Sequence, residues 1–102
     1  MFDLDGKQYE LKFTEQRIDL VEAVLKSSLI GEFMQSNGML RMMTAKVVFQ
    51  FCLKEVGADT FLTQPSGLDV YNRYMQQVGY MNLLNQISSG LTNDTPFLFP
   101  HS

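Results

Sequence analysis

The chain is poor in the residues that most enzymatic and metal chemistry requires. It holds one histidine, one cysteine and no tryptophan, and its eight basic side chains are outnumbered by eleven acidic ones. The single cysteine, Cys52, excludes an internal disulfide and suits a reducing compartment, where such a residue acts as a small buried hydrophobe. The single histidine, His101, stands far from Cys52 in the sequence and near no cluster of carboxylates, so zinc-ligand spacing is missing. Asp3, Asp5 and Glu10 are interleaved with Lys7 and Lys12, the pattern of a solvated face. The seven glycines form neither a phosphate-cradling G-x-G-x-x-G or G-x-x-x-x-G-K-[ST] nor a G-x-S-x-G elbow. A non-enzymatic protein with no cofactor and no metal is therefore expected. A net charge of -3 argues against a phosphate-binding face, so nucleic acid is not an expected partner. No apolar stretch is long and uncharged enough to span a membrane, and MFDLDGKQYE lacks the basic and apolar regions of a secretory signal. The cytoplasm is the expected location.

What the chain does have is an apolar centre. From Met39 to Val56, MLRMMTAKVVFQFCLKEV, helical spacing stacks Lys46, Gln50 and Lys54 into one narrow polar stripe and leaves nearly all the remaining circumference apolar. Such a helix must be wrapped on several sides. Met39, Met42 and Met43 open it and are expected in the core.

The wrappers are legible on both sides. Phe2 and Leu4, then Tyr9, Leu11 and Phe13, alternate with polar residues at the period of a half-buried sheet, and Asp5-Gly6 between them suits a tight turn with positive φ. A hairpin over residues 2–13 follows. Thr14 is the expected N-cap of an amphipathic helix whose Ile18, Leu20, Val21, Val24 and Leu25 share one arc, with Glu22 and Lys26 spaced to pair. LIGEFMQ suggests a short second helix ending at Asn37-Gly38. Beyond the central helix, Phe61 and Leu62 either plug the core or form a third strand. Ser66 and Asp69 form a capping-box pattern ahead of the stripe Leu68, Tyr71, Met75 and Val78. A second stripe, Tyr80, Leu83, Leu84, Ile87 and Leu91, is out of phase with the first, which requires a break at Gly79.

One α+β domain over 1–102 is thus expected: a hairpin at 2–13, a helical part of four or five helices at 14–91 packed around the central one, and an extended C-terminal tail at 92–102. In TPFLFPHS, prolines on both sides of Phe97, Leu98 and Phe99 disfavour a helix. Three large apolar residues in such a segment must dock, which makes them candidates for partner binding together with Tyr74 and Tyr80, aromatic residues with a polar tip.

The hairpin FDLDGKQYELKF leading straight into an amphipathic helix, the SNGML entry to the central helix, the VGY joint and the closing TPFLF together resemble the tail assembly chaperones of long-tailed phages of Gram-positive bacteria. The resemblance implies a non-catalytic role in tail assembly. It implies binding to the aggregation-prone tape measure protein, and delivery of tail tube protein, the latter through a longer form made by ribosomal frameshifting. It further implies action in the host cell cytoplasm and absence from the finished virion. Methionine and aromatic surfaces repeated along a helical rod would work by avidity, so self-association is expected. Two other readings fit the same residues: another small phage morphogenesis protein, such as a head-tail connector, and a DNA-binding regulator, which the negative charge disfavours.

Overall fold

The computed structural model describes residues 1–96. In chain order it contains β1 (Phe2–Leu4), β2 (Lys7–Leu11), α1 (Glu15–Leu25), α2 (Leu29–Gln35), α3 (Met42–Cys52), β3 (Leu53–Glu55), α4 (Gln64–Val78) and α5 (Tyr80–Asp94). The fold is α+β, an N-terminal antiparallel sheet packed on five helices, as the alternation and helical spacing predict.

The hairpin forms for the expected reason. Phe2 pairs with Tyr9 and Leu4 with Lys7, and the chain reverses through Asp5 and Gly6 at φ 50° and 86°. Phe2, Leu4, Tyr9 and Leu11 are buried while Asp3, Asp5 and Lys7 face solvent. The sheet is completed by a third strand in an unexpected place. The central helix stops at Cys52, and Leu53, Lys54 and Glu55 turn extended to pair with Leu11, Glu10 and Tyr9. Backbone bonds from Lys12 to Cys52 and from Val56 to Gln8 extend the ladder at 2.8 and 3.0 Å. An open hairpin edge presents unpaired N–H and C=O groups, and satisfying them outweighs three more residues of helix. Phe61 and Leu62 are therefore not the third strand. Leu62 packs against the core, its N–H bonded to the Leu53 carbonyl, and Phe61 lies beneath the Arg17 guanidinium, 3.9 Å from the ring centre.

The helix ends follow their caps. Thr14 accepts from the Arg17 N–H, and Asn37 and Gly38, at φ 54° and 84°, turn the chain after α2. Glu22 does something other than pair with Lys26. Its carboxylate takes the Leu29 N–H at 2.7 Å, capping α2, while Lys26 ends α1 in a left-handed conformation. The cap of α4 is Thr63, three residues ahead of the expected Ser66, and places Pro65 in the first turn, where its missing N–H costs nothing. Asp69 instead holds Arg73 at 2.9 Å. The expected break at Gly79 is present, with φ 87° separating α4 from α5. Helix α5 runs three residues beyond the expected end at Leu91, to Asp94.

The core lies between the sheet and α3, α4 and α5. Phe49, fully buried, is ringed by Phe2, Tyr71 and Tyr74, and the Phe2 and Tyr74 rings approach to 4.3 Å. Helices α3 and α4 touch so closely at Gly67 that a methyl group there would press on the Phe49 carbonyl and come within 2.9 Å of the Gln50 Cα. On α1 only part of the apolar arc is used: Val21 is buried and Ile18 and Leu25 pack on the core, but Leu20 and Val24 are exposed.

Candidate protein-binding surface

Six of the seven methionines are exposed; Met75 alone packs against the core. This corrects the expectation for Met39, Met42 and Met43, which are 53%, 57% and 58% exposed. Helical periodicity puts Met42 on the same face as Phe49, but Met42 and Met43 stay exposed while Thr44 and Ala45 of the same first turn are fully buried. Met34, at the end of α2, and Met81, in the first turn of α5, are exposed to a similar degree.

Three hydrogen-bond and packing ties gather these segments at one end of the molecule. The Tyr80 hydroxyl donates to the Leu40 carbonyl, joining the start of α5 to the α2–α3 link. The Tyr71 hydroxyl reaches the Met42 carbonyl at 3.5 Å, joining α4 to the first turn of α3. Gly38 sits against Ser88 of α5 and the Phe33 ring. In this setting burial pushes the Tyr71 and Tyr80 hydroxyls above the ordinary tyrosine range.

The same end is almost free of charge. No charged residue occurs between Arg73 and Asp94, and only Arg41 occurs between Glu32 and Lys46. Arg41 is itself neutralised. Its Nη2 donates to Glu32 Oε1 at 2.9 Å, its backbone N–H donates to Glu32 Oε2 at 2.9 Å, and Thr44 Oγ1 donates to Glu32 Oε1 at 2.8 Å. Burial works to raise the Glu32 carboxyl, but the bonds from Arg41 and Thr44 prevail and hold it below the usual glutamate range. Glu32 also supplies what α3 lacks. Arg41 caps α3 without a side-chain bond, and the carboxylate takes an orphan N–H at the positive end of the helix dipole.

The outcome for the sequence-derived candidates is mixed. Tyr74 is 5% exposed, packed within the aromatic core at a tilt against Phe2, and is not available to a partner. Tyr80 is half-buried with its hydroxyl committed to Leu40. Phe97, Leu98 and Phe99, with His101, lie outside the described residues. Cys52 is buried, and burial pushes its thiol up to about 12, so it is a poor nucleophile. Among the described residues no group of three or more His, Cys, Asp or Glu side chains could hold a metal ion, and no helix is long and apolar enough to cross a membrane.

Aromatic residues and methionine are enriched, and charge is depleted, where protein interfaces bury their centres. A methionine surface also adapts to differing partners, because the unbranched thioether re-packs at little cost. The two stretches with almost no charge, 33–45 and 74–93, are a sequence signal that the methionine spacing alone does not carry. Comparison with known protein families, curated proteins and solved structures returns no match to the chain.

Proposed function

We propose that the protein is a tail assembly chaperone of a long-tailed phage, binding the apolar face of a helical tape measure protein without catalysis. The observation that carries this reading is the uncharged, methionine-studded end built by α2, α3 and the α4–α5 joint. A rod-like helical client exposes apolar stripes until the tube encloses it, and an adaptable, charge-poor surface is what such a stripe requires. Several copies along the rod add avidity, so the chain self-associates on its client. A longer frameshifted form brings in the tail tube protein. Both act in the host cytoplasm, and the chaperone leaves before the virion is complete.

Co-expression with a candidate tape measure protein tests the reading. The client moves from the insoluble to the soluble fraction with the native chain, and stays insoluble with Met42→Lys/Met43→Lys. A client equally insoluble with and without the native chain overturns the proposal. Mass spectrometry of finished particles adds a second check, since finding the chain there points to a retained connector.

A further inference from the structure

The fold leaves one apolar stripe of the first helix unused. Val21 of α1 is buried and Ile18 and Leu25 pack on the core, but Leu20 is 37% exposed, Val24 is 52% exposed, and Ala23 beside them is exposed as well. At about 100° per residue, Ala23, Leu20 and Val24 share one arc of the helix, and Asp19 and Lys26 lie along a single edge of that arc. Both of these charged side chains are exposed. They stand seven positions apart, two turns or about 10 Å along the axis.

Neither charge is matched within the chain. Lys26 is spaced to pair with Glu22, but that carboxylate accepts the Leu29 N–H at 2.7 Å instead. Among the described residues Asp19 and Lys26 stand in no ion pair, whereas Lys7, Lys12, Arg41 and Arg73 each do. Exposed apolar side chains beside an unpaired acid at one end and an unpaired base at the other form a face that is complementary to itself.

We propose that this face of α1 binds the same face of a second copy of the chain, the two helices running antiparallel about a two-fold axis. The order of the charges selects both partner and direction. With the axis between Glu22 and Ala23, Asp19 of each copy meets Lys26 of the other on one edge, and Leu20 of each meets Val24 of the other on the opposite edge. A parallel pair would instead set Asp19 against Asp19 and Lys26 against Lys26, which like-charge repulsion disfavours. A contact in which both copies use the same patch closes after two chains and leaves no growing end. Ala23 stands next to the axis, where a small side chain lets the helices approach to the roughly 8–10 Å of packed pairs. One face of an eleven-residue helix is a small interface. Contacts burying less than about 1,200 Å² in total are weak, so the dimer is populated at high chain concentration. None of its residues belongs to the methionine surface of α2, α3 and α5, so each copy keeps that surface free. The proposal goes beyond the chaperone reading and does not rest on it.

Sedimentation equilibrium of the full chain, carried up to about 1 mM, is expected to show a reversible monomer–dimer equilibrium. Asp19→Lys weakens it by roughly tenfold, because two opposite-charge pairs become two like-charge ones, and Lys26→Asp does the same. The exchange Asp19→Lys/Lys26→Asp restores the native dimer, and Met42→Lys/Met43→Lys leaves it unchanged. All four positions are exposed, so these variants keep the fold. Ala23→Cys gives a disulfide between copies in a glutathione buffer. Asp19→Cys and Lys26→Cys give none alone and a mixed one together, while the buried Cys52 takes no part. A native chain that stays monomeric overturns the proposal. So does a dimer that the single charge reversals leave intact, that the exchange fails to restore, or that Met42→Lys/Met43→Lys dissolves, the last because copies then meet through the methionine surface. Client rescue is read separately: a monomeric chain that still solubilises the client overturns this proposal alone, and a dimer that does not solubilise it overturns the chaperone reading alone.

Discussion

Two regions of this molecule's surface are built on opposite principles. At the turn of the hairpin, Asp5 is gripped by Arg73 and by Gln77 of α4, Asp69 holds the same arginine, and Lys7 stands 3.9 Å from Glu55. Behind these charges sits the aromatic cluster of Phe2, Phe49, Tyr71 and Tyr74. Around the α2–α3 link and the start of α5 charge is almost absent, methionines are exposed, and the one arginine is closed on Glu32. The first region uses charge as a solvated rim over a packed core, so its contacts are internal. The second leaves its apolar atoms for something else to cover. Stability should therefore reside in the first region and client binding in the second.

The comparison breaks most readily at Phe49. Phe49→Ala should lower the unfolding free energy by roughly 3 to 5 kcal/mol, since the ring is fully buried among three others. Urea denaturation measures this, and a loss below about 1 kcal/mol would mean that the aromatic cluster is not the core. Next comes Gly67→Ala, expected to cost roughly 1 to 3 kcal/mol by forcing α4 off the α3 backbone. An alanine tolerated there at no cost would show that the helices are not in contact at that point.

Glu32→Ala is expected to cost about 1 kcal/mol through loss of the α3 cap. It also carries a pH signature. Because the folded-state carboxyl lies below its ordinary 4.5, the stabilisation is present above that value and is lost as pH falls through the lower folded-state one. The native chain should lose stability across this acid range more steeply than the variant, and parallel curves would remove Glu32 from the account. The smallest stability effect belongs to Met42→Lys/Met43→Lys. Both side chains are more than half exposed, so the unfolding midpoint should barely move, within about 0.5 kcal/mol, while client rescue is lost. A large destabilisation would place these methionines in the core after all and dissolve the contrast between the two regions.

Local chemistry made much of this fold legible in advance. Alternation at Phe2, Leu4, Tyr9 and Leu11 announced a sheet face, Asp5-Gly6 its turn, Thr14 a cap, and the phase change at Gly79 a break between helices. Each depends on residues a few positions apart. Errors arose where a distant segment decided the matter. Leu53 to Glu55 continue a helical pattern, yet they became a strand because β2, far earlier in the sequence, had an edge to satisfy. Glu22 was spaced for Lys26 but took the Leu29 amide, because an unpaired amide at a helix start is the stronger claimant. The candidate surface was harder still. Spacing places a methionine on a helix face, but how far the neighbouring elements extend along that face determines whether the methionine is covered.

The sequence by itself determined the two periodicities, the turn and break positions, the lack of catalytic and metal-binding groups in any recognisable pattern, and the two stretches that carry almost no charge. The tertiary structure alone decided that those two stretches come together, through Tyr80 on Leu40 and Gly38 against Ser88, and that Tyr74 faces inward while Met42 and Met43 face outward. The reason is physical: periodicity and capping are set by neighbours within a turn or two, whereas exposure is set by whatever else in the chain comes to lie alongside.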